Sequence, residues 1–198
     1  NNVVFDAGNN GIQAKPSQGE VVSNLTIVHN TVVIPGGTCL RGNDWEANGG
    51  NLVAANALFC AGGTAVKLVN SGGATWTDNG VLGILDGLGE GTFDVGAADA
   101  ELVDPAAWNA YPNDGSALID AGAGDWADQD FNCLDRDMQV DVGAYEYTQS
   151  GNPGWVPQPG FKSCADEGGE ETGGEETSGE EDTGETDGTT DDGGSTSE

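Results

Sequence analysis

The sequence predicts an all-β solenoid, a coil of short strands stacked turn upon turn. Short β-branched and aliphatic runs recur through the first 85 residues, and none has helical periodicity. The unit Asn-x-aliphatic recurs at intervals of 20, 26 and 23 residues, close to the length of one solenoid coil. Glycine pairs that permit sharp turns separate the runs, at Gly36-Gly37, Gly49-Gly50, Gly62-Gly63 and Gly72-Gly73.

The asparagines of the repeat are predicted to lie inside the solenoid. The four units begin at Asn10, Asn30, Asn56 and Asn79. Alternation in the run before Asn30 points Leu25 and Ile27 to the same face and leaves Asn30 at a bend. An Asn at the same bend of every coil can bond to the one above and below. We therefore predict an internal asparagine ladder rather than a ligand site.

Composition divides the chain into three parts. Residues 167–198 contain 13 Asp or Glu and no apolar side chain, so no burial offsets the backbone entropy of ordering, roughly 1 to 2 kcal/mol per residue. We predict a disordered acidic spacer there, a Pro/Gly-rich strap at residues 148–166, and the coils with their cap at residues 1–147. The sequence leaves open whether the tail is a spacer or only confers solubility.

Charge restricts the partners. The chain carries 34 Asp and Glu against 5 Lys and Arg, a net charge of -29. Nucleic-acid binding depends on basic groups that meet phosphates, so we predict no nucleic-acid partner. No apolar run reaches the 18 residues that a membrane-spanning helix needs, and the first residue is Asn rather than Met, which suggests a processed or truncated chain.

Four cysteines without CxxC spacing favour disulfides over zinc, and hence an oxidising compartment. They are Cys39, Cys60, Cys133 and Cys164. Three pairings are open. Cys39 and Cys60 lie 21 residues apart, close to one coil, so stacking predicts a bridge between them. Cys133 would then pair with Cys164.

An Asp-rich loop is a candidate calcium site. Asp128, Asp130 and Asn132 place oxygen donors at alternate positions, as calcium loops do. The full EF-hand pattern fails at its glycine and at its final glutamate. The alternative is a hydrogen-bonded network of Asp side chains around Arg136, because a guanidinium can pair with two carboxylates. We favour the network, and calcium is the one cofactor that the sequence suggests.

Other candidate residues are isolated. His29 is the only histidine, and its place in a strand run predicts an outward or turn position rather than a catalytic triad. Tryptophans on a flat face can stack on sugar rings, but we favour a role in covering coil ends. They are Trp45, Trp76, Trp108, Trp126 and Trp155.

Two segments resemble a known family. Residues 24–32, Asn-Leu-Thr-Ile-Val-His-Asn-Thr-Val, resemble the coil repeat of the right-handed parallel β-helix, or pectate lyase-like, superfamily. Residues 102–147 are similar to the closing segment of bacterial surface proteins of the choice-of-anchor Q type, although Cys133-Leu-Asp135 departs from it. The shared motifs are Val103-Asp-Pro105, Ser116-Ala-Leu-Ile-Asp-Ala-Gly122 and Asp141-Val-Gly-Ala-Tyr-Glu146.

The resemblance implies a right-handed parallel β-helix of about four coils plus a C-terminal cap. Its structural cap residues would be Asp120, Arg136, Asp141 and Glu146. It further implies a secreted or cell-surface module, structural or adhesive, that binds polysaccharide or cell-envelope components, and we expect a monomer.

The resemblance also supplies an enzymatic alternative. Superfamily enzymes use calcium with a basic residue, or clustered Asp, on an exposed strand face. By residue type alone the candidates are Arg41, Lys67, Asp44 and Asp86, and no catalytic set can be assigned. The alternative function is the C-terminal part of a polysaccharide lyase or glycoside hydrolase with its active coils upstream. A charged row on one exposed face would favour the enzyme, and a neutral Thr- and Asn-rich face would favour the stalk.

Overall fold

A computed structural model describes residues 1–88, 90–124, 126–154 and 156–158. One short helix, α1 (Ala98–Glu101), and a 3-10 turn (Pro105–Ala107) are the helical elements of those ranges. The strands are β1 (Asn2–Phe5), β2 (Asn10–Ala14), β3 (Thr26–Val28), β4 (Asn30–Val33), β5 (Thr38–Asn43), β6 (Leu52–Ala54), β7 (Ala57–Val69), β8 (Thr75–Thr77), β9 (Asn79–Asp86), β10 (Thr92–Asp94), β11 (Leu102–Asp104) and β12 (Asn109–Pro112).

Strands β1 to β10 stack in parallel as a solenoid of about three turns, which confirms the predicted fold class. Three stacks run along it. The inner stack consists of β1, β4, the first part of β7, the first part of β9, and β10. The open stack consists of β2, β5 and the later parts of β7 and β9. The third stack is β3, β6 and β8.

The solenoid core is formed by side chains that alternate inward along these strands. Val32, Leu58 and Val81 of the inner stack meet Leu40 and Val66 of the open stack. Four of these five are fully buried, and Val81 is nearly so. Burial of one such side chain contributes about 1.5–3 kcal/mol relative to exposure. The apolar side chains that recur in each turn therefore form the core and stabilise the stacking of the turns.

An asparagine ladder runs through the inner stack. The Nδ2 of Asn2 donates to Oδ1 of Asn30 at 2.8 Å, Asn30 donates to Asn56 at 2.8 Å, and Asn56 donates to Asn79 at 2.9 Å. Each of the last three side chains is buried. The predicted ladder is thus confirmed for Asn30, Asn56 and Asn79.

The prediction was wrong for Asn10. Asn2 is the register partner of Asn30, whereas Asn10 pairs with Thr38 in the open stack and donates to the side chain of Gln13. Asn2 and Asn10 therefore belong to one turn of the solenoid. The structure contains about three turns, where the sequence predicted about four.

The predicted disulfide between Cys39 and Cys60 is confirmed. It joins β5 to β7 across adjacent turns, with a Cα–Cα distance of 5.9 Å, and both residues are fully buried. Closing a loop of this length adds about 3 kcal/mol in the chain-entropy account. No cysteine in the described ranges is free. Cys164 lies outside those ranges, so its pairing with Cys133 stays a prediction.

Each glycine pair provides the positive φ that the sequence predicted, although Gly62 and Gly63 lie within β7 rather than between strands. One glycine of each pair has a positive φ, at Gly36, Gly50, Gly62 and Gly73. At Gly73 a Cβ would overlap the backbone carbonyl of Ala47 on the previous turn. Only glycine therefore allows the turns to stack this closely.

The segment after β10 lies along the side of the solenoid, not as a cap over its end. We call residues 95–147 the C-terminal wrap. Its apolar side chains pack on the outward face of the inner stack, where Val33 and Phe59 meet Leu118, Val142 and Tyr145. The sequence predicted a C-terminal cap, and the difference arises because the outward side chains of the inner stack are also apolar and require cover.

Two predicted parts of the chain extend beyond the described ranges. The strap at residues 148–166 is described only in part, and the spacer at residues 167–198 lies wholly outside. Their boundaries stay predictions.

Candidate functional site

One row of polar side chains crosses the outward face of the open stack. Gln13 is in register with Arg41, Arg41 with Lys67, and Lys67 with Asp86. The row contains one residue from each of four strands. Strands in a sheet lie about 4.8 Å apart, so the row presents one polar group per turn at that spacing.

The contacts within the row are weak. The Lys67 ammonium lies 3.8 Å from the Asp86 carboxylate, with side chains 41% and 58% exposed. An exposed pair at that distance contributes little and is screened by salt. Arg41 donates from Nε to Oδ1 of Asn43 at 3.0 Å.

Arg41 lies between two shallow depressions of the open stack. One is lined by Gln13, Lys15, Asn43 and Asp44, together with residues 16–21. The other is lined by Asn10, Thr38, Thr64 and Ile84 and by glycine turns. The structure thus brings together on one face the four candidates that the sequence singled out only by residue type. They are Arg41, Asp44, Lys67 and Asp86.

Positive charge is concentrated on this face. Among the described residues there are four basic side chains, and Lys15, Arg41 and Lys67 all lie here and are at least partly exposed. The fourth, Arg136, is buried in the wrap, with 2% of its side chain exposed. The same face also carries the acidic side chains of Glu20, Asp44 and Asp86, so an anionic group would meet both signs of charge there, in a chain whose net charge is -29.

The tryptophans do not form a sugar-stacking platform on this face. Trp45 and Trp76 stack on one another with ring centroids 6.2 Å apart, Trp45 is buried, and its indole donates to the carbonyl of Ala14. Trp108 and Trp126 are exposed on the wrap. Trp155 lies outside the described ranges.

The predicted cap residues form a buried charge network inside the wrap. Nη1 of Arg136 lies 2.9 Å from Oε2 of Glu146, and Nη2 donates to the carbonyls of Gly143 and Ala144. Burial and the neighbouring Asp141 raise the pKa of Glu146 to about 7, against the influence of Arg136. The guanidinium therefore holds four backbone and side-chain groups of one tight loop.

Asp141 and Asp120 also take part, in different ways. The carboxylate of Asp141 is buried and accepts from the backbone N–H groups of Asp120 and Tyr147. Asp120 contributes that N–H, while its backbone has a φ of 56°. The motif from Asp141 to Glu146 is therefore a turn that docks on the solenoid, since Ala144 N–H donates to Oγ1 of Thr31 at 2.9 Å.

In the candidate calcium loop, the carboxylate of the central residue, Asp130, accepts hydrogen bonds from backbone N–H groups. Oδ1 of Asp130 accepts from the N–H groups of Asn132 and Leu134, and Oδ2 accepts from that of Glu146. Asp128 is exposed. Among the described residues no three His, Cys, Asp or Glu side chains are grouped to hold a metal ion. These contacts favour the hydrogen-bonded network, and calcium at Asp128, Asp130 and Asn132 stays a prediction.

One further buried carboxylate, that of Glu101, was not singled out in the sequence. Glu101, at the end of α1, accepts from the hydroxyl of Ser116 at 2.7 Å and from the N–H groups of Gly96 and Ala117. Burial acts to raise the pKa of Glu101, but these hydrogen bonds outweigh it and lower the pKa overall. Only the Ser116 motif offered a sequence signal.

His29 differs from its predicted position. It has a φ of 51°, as a turn residue can, but it is fully buried beneath the wrap rather than outward. Its polar neighbours are the backbone carbonyls of Asp141 and Gly143, and no side chain of the described residues forms a hydrogen bond with the ring nitrogens.

Comparison of the chain with family models, with curated proteins and with solved structures found no match. The class of protein that the geometry defines is therefore a parallel β-solenoid, and the finer resemblance stays a prediction. Within the described residues, no helix has the length and apolar character to cross a membrane.

Proposed function

We propose that the protein is an extracellular β-solenoid module that binds an acidic polysaccharide on the open stack. The single observation that carries this proposal is the row formed by Gln13, Arg41, Lys67 and Asp86. The pectate lyase-like resemblance of the coil repeat gives the same ligand class.

The spacing of the row suits a polymer with a charge on each unit. Arg41 and Lys67 lie on adjacent turns, about 4.8 Å apart, which is close to the length of one sugar ring in an extended chain. A guanidinium binds a carboxylate through two parallel hydrogen bonds. A uronate chain that runs along the solenoid axis would place successive carboxylates on successive basic side chains.

The composition of the row favours binding over hydrolysis. Glycoside hydrolysis uses two carboxylates placed on either side of the scissile bond, and the row contains one, Asp86, which pairs with Lys67. The second candidate function, a polysaccharide lyase, is favoured by one observation: a charged row does lie on an exposed parallel face, with Arg41 as its potential base.

The location is part of the proposal. The buried disulfide between Cys39 and Cys60 fits an oxidising, extracellular environment. Display at the cell surface through the acidic tail, and a monomeric state, belong to the same proposal.

Binding is tested by isothermal titration calorimetry with polygalacturonate, and with its methyl ester as the uncharged control. Replacement of both Arg41 and Lys67 by Ala is expected to weaken binding at least tenfold, since a hydrogen bond to a charged group contributes about 1.5–3 kcal/mol. Met138→Ala, at a fully exposed wrap position, is the matched control and keeps wild-type affinity. Equal binding of the methyl ester would contradict the proposal.

The lyase alternative is tested in the same samples with calcium added. Ultraviolet absorbance would report unsaturated uronate products. Their appearance in the wild type and loss in Arg41→Ala would replace the binding proposal with the enzyme, whereas binding without product supports the module.

A further inference from the structure

The only histidine of the chain is trapped between the solenoid and the wrap. His29 is fully buried, and neither Nδ1 nor Nε2 makes a hydrogen bond of good geometry, although the backbone carbonyls of Asp141 and Gly143 face the ring. A buried polar group without a partner costs free energy in any protonation state, and a buried cation costs far more. The position of His29 therefore depends on its remaining neutral.

His29 belongs to a column of turn residues that the wrap contacts on successive turns. His29, Ala55 and Asp78 each precede a ladder asparagine and have φ values of 51°, 52° and 53°. The wrap donates from Ala123 N–H to the Asp78 carboxylate at 3.2 Å, and from Gly143 N–H to the Ala55 carbonyl at 2.8 Å. At the corresponding position of the column, the His29 imidazole itself lies buried between the solenoid and the wrap.

The groups around the imidazole disfavour a positive charge. Burial, and next the charge of Arg136, lower the pKa of His29 to about 3. The backbone carbonyls of Asp141 and Gly143 face the ring and oppose this shift less strongly. Protonation would place a second cation beside the buried guanidinium of Arg136 without access to water.

We propose that acid releases the wrap from the solenoid, and that protonation of His29 triggers the release. The solenoid keeps its own core, disulfide and ladder, none of which contains a titrating group. Release would uncover the apolar outward face of the inner stack, including Val33 and Phe59. The wrap is then an acid-sensitive cover of a buried surface.

The pH window follows from the signs of the shifts. The folded pKa of His29 lies below its ordinary value of 6.5, so its stabilising contribution is complete above pH 6.5 and is lost as the pH falls towards 3. The pKa values of Glu146 and Asp141 are raised. Glu146 therefore stabilises the wrap as the pH falls from about 7 to its ordinary value of 4.5, and Asp141 does so as the pH falls to its ordinary value of 3.8. Their effect opposes that of His29 until they are protonated.

Release is therefore expected below about pH 4.5, where Glu146 no longer opposes it, while Asp141 continues to oppose it down to its ordinary value of 3.8. Asp130 also faces Arg136, and its carboxylate accepts three backbone hydrogen bonds. Glu101 holds another part of the wrap and has a lowered pKa, so it too loses its contribution in acid. A variant is needed to separate Glu101 from His29.

Two measurements on the full chain test the proposal. Nuclear magnetic resonance follows protonation of the imidazole, and hydrogen exchange follows the amides of Gly143 and Ala144 in the wrap and of Asn56 and Gly80 in the solenoid. His29→Asn stays neutral and tolerates a positive φ. His29→Ala copies Ala55 of the same column and serves if the first variant fails to fold, and Glu101→Gln is the control.

Imidazole protonation and loss of wrap protection are expected at the same pH, below about 4.5, with the solenoid amides still protected. His29→Asn should lower the release midpoint by at least one pH unit, and Glu101→Gln by less than half of that. An imidazole that titrates near pH 6.5 with the wrap in place would overturn the proposal. So would an unchanged midpoint in both His29 variants, or simultaneous loss of protection in the wrap and the solenoid.

Discussion

Strand β7 contains two halves with different outward environments. In the first half, Phe59 points outward and is buried under the wrap, whereas in the second half Lys67 points outward and is 41% exposed. The inward side chains of both halves, Leu58 and Val66, lie in the same core. The comparison teaches that a solenoid core needs only inward alternation, while the outward side chains decide which stack is covered and which can bind.

The largest expected effect is on the covered half. Phe59→Ala should lower the free energy of unfolding by about 3–5 kcal/mol, because it leaves a cavity between the solenoid and the wrap. Lys67→Ala, on the open half, is the matched variant and should change it by less than about 0.5 kcal/mol. Urea denaturation measures both. Equal effects of the two substitutions would contradict the conclusion that the wrap buries the first half of β7 and leaves the second half exposed.

The asparagine ladder offers a second comparison between the stacks. Asn56→Ala should destabilise by about 1–3 kcal/mol, because Asn30 Nδ2 and the Asn79 Oδ1 acceptor lose a buried partner. Asn10→Ala, which removes a side-chain contact at the surface, should be near neutral. Thermal unfolding distinguishes them, and a large loss for Asn10→Ala would place that residue back in the ladder.

Salt should act on the open half alone. Because the row that includes Arg41 and Lys67 is exposed, its affinity for polygalacturonate should fall several-fold between 50 and 200 mM salt, on the order of the screening expected of exposed charges. The thermal stability of the wrap, whose Arg136 and Glu146 pair is buried, should change little. Binding that is insensitive to salt would contradict the proposed role of the row.

The smallest expected effect concerns calcium. Because the Asp130 carboxylate already accepts three backbone hydrogen bonds, millimolar calcium should not shift the unfolding temperature. Asp128→Asn tests the same loop, and its unfolding curve should match the wild type with and without calcium. A calcium-dependent shift that this variant abolishes would establish the metal site instead of the network.

Much of the fold could be predicted because a solenoid repeats local signals. The spacing of Asn30, Asn56 and Asn79 and the single-coil distance from Cys39 to Cys60 each follow from one period, and the structure confirms both. The prediction for Asn10 was wrong because the sequence motif does not distinguish the two bends of one turn. Asn2, two residues before Val4, offered the same motif.

The candidate site was harder to predict. Arg41, Lys67 and Asp86 stood out only as residue types, and their common row depends on strand register, which sequence spacing does not fix across glycine turns. A signal for the wrap was present, because Phe5, Val33 and Phe59 make the outward face of the inner stack apolar. A parallel sheet with two apolar faces must be covered on both.

The sequence by itself determined the class of the molecule, since a repeated apolar period can be buried only by stacking one turn on the next. It also determined one disulfide and most of the ladder, because both depend on that period. The tertiary structure alone decided where the last third of the folded chain lies, and with it which stack is exposed and how His29 is enclosed. Those outcomes depend on contacts between residues 45 to 135 positions apart, such as Thr31 with Ala144, and no local pattern specifies them.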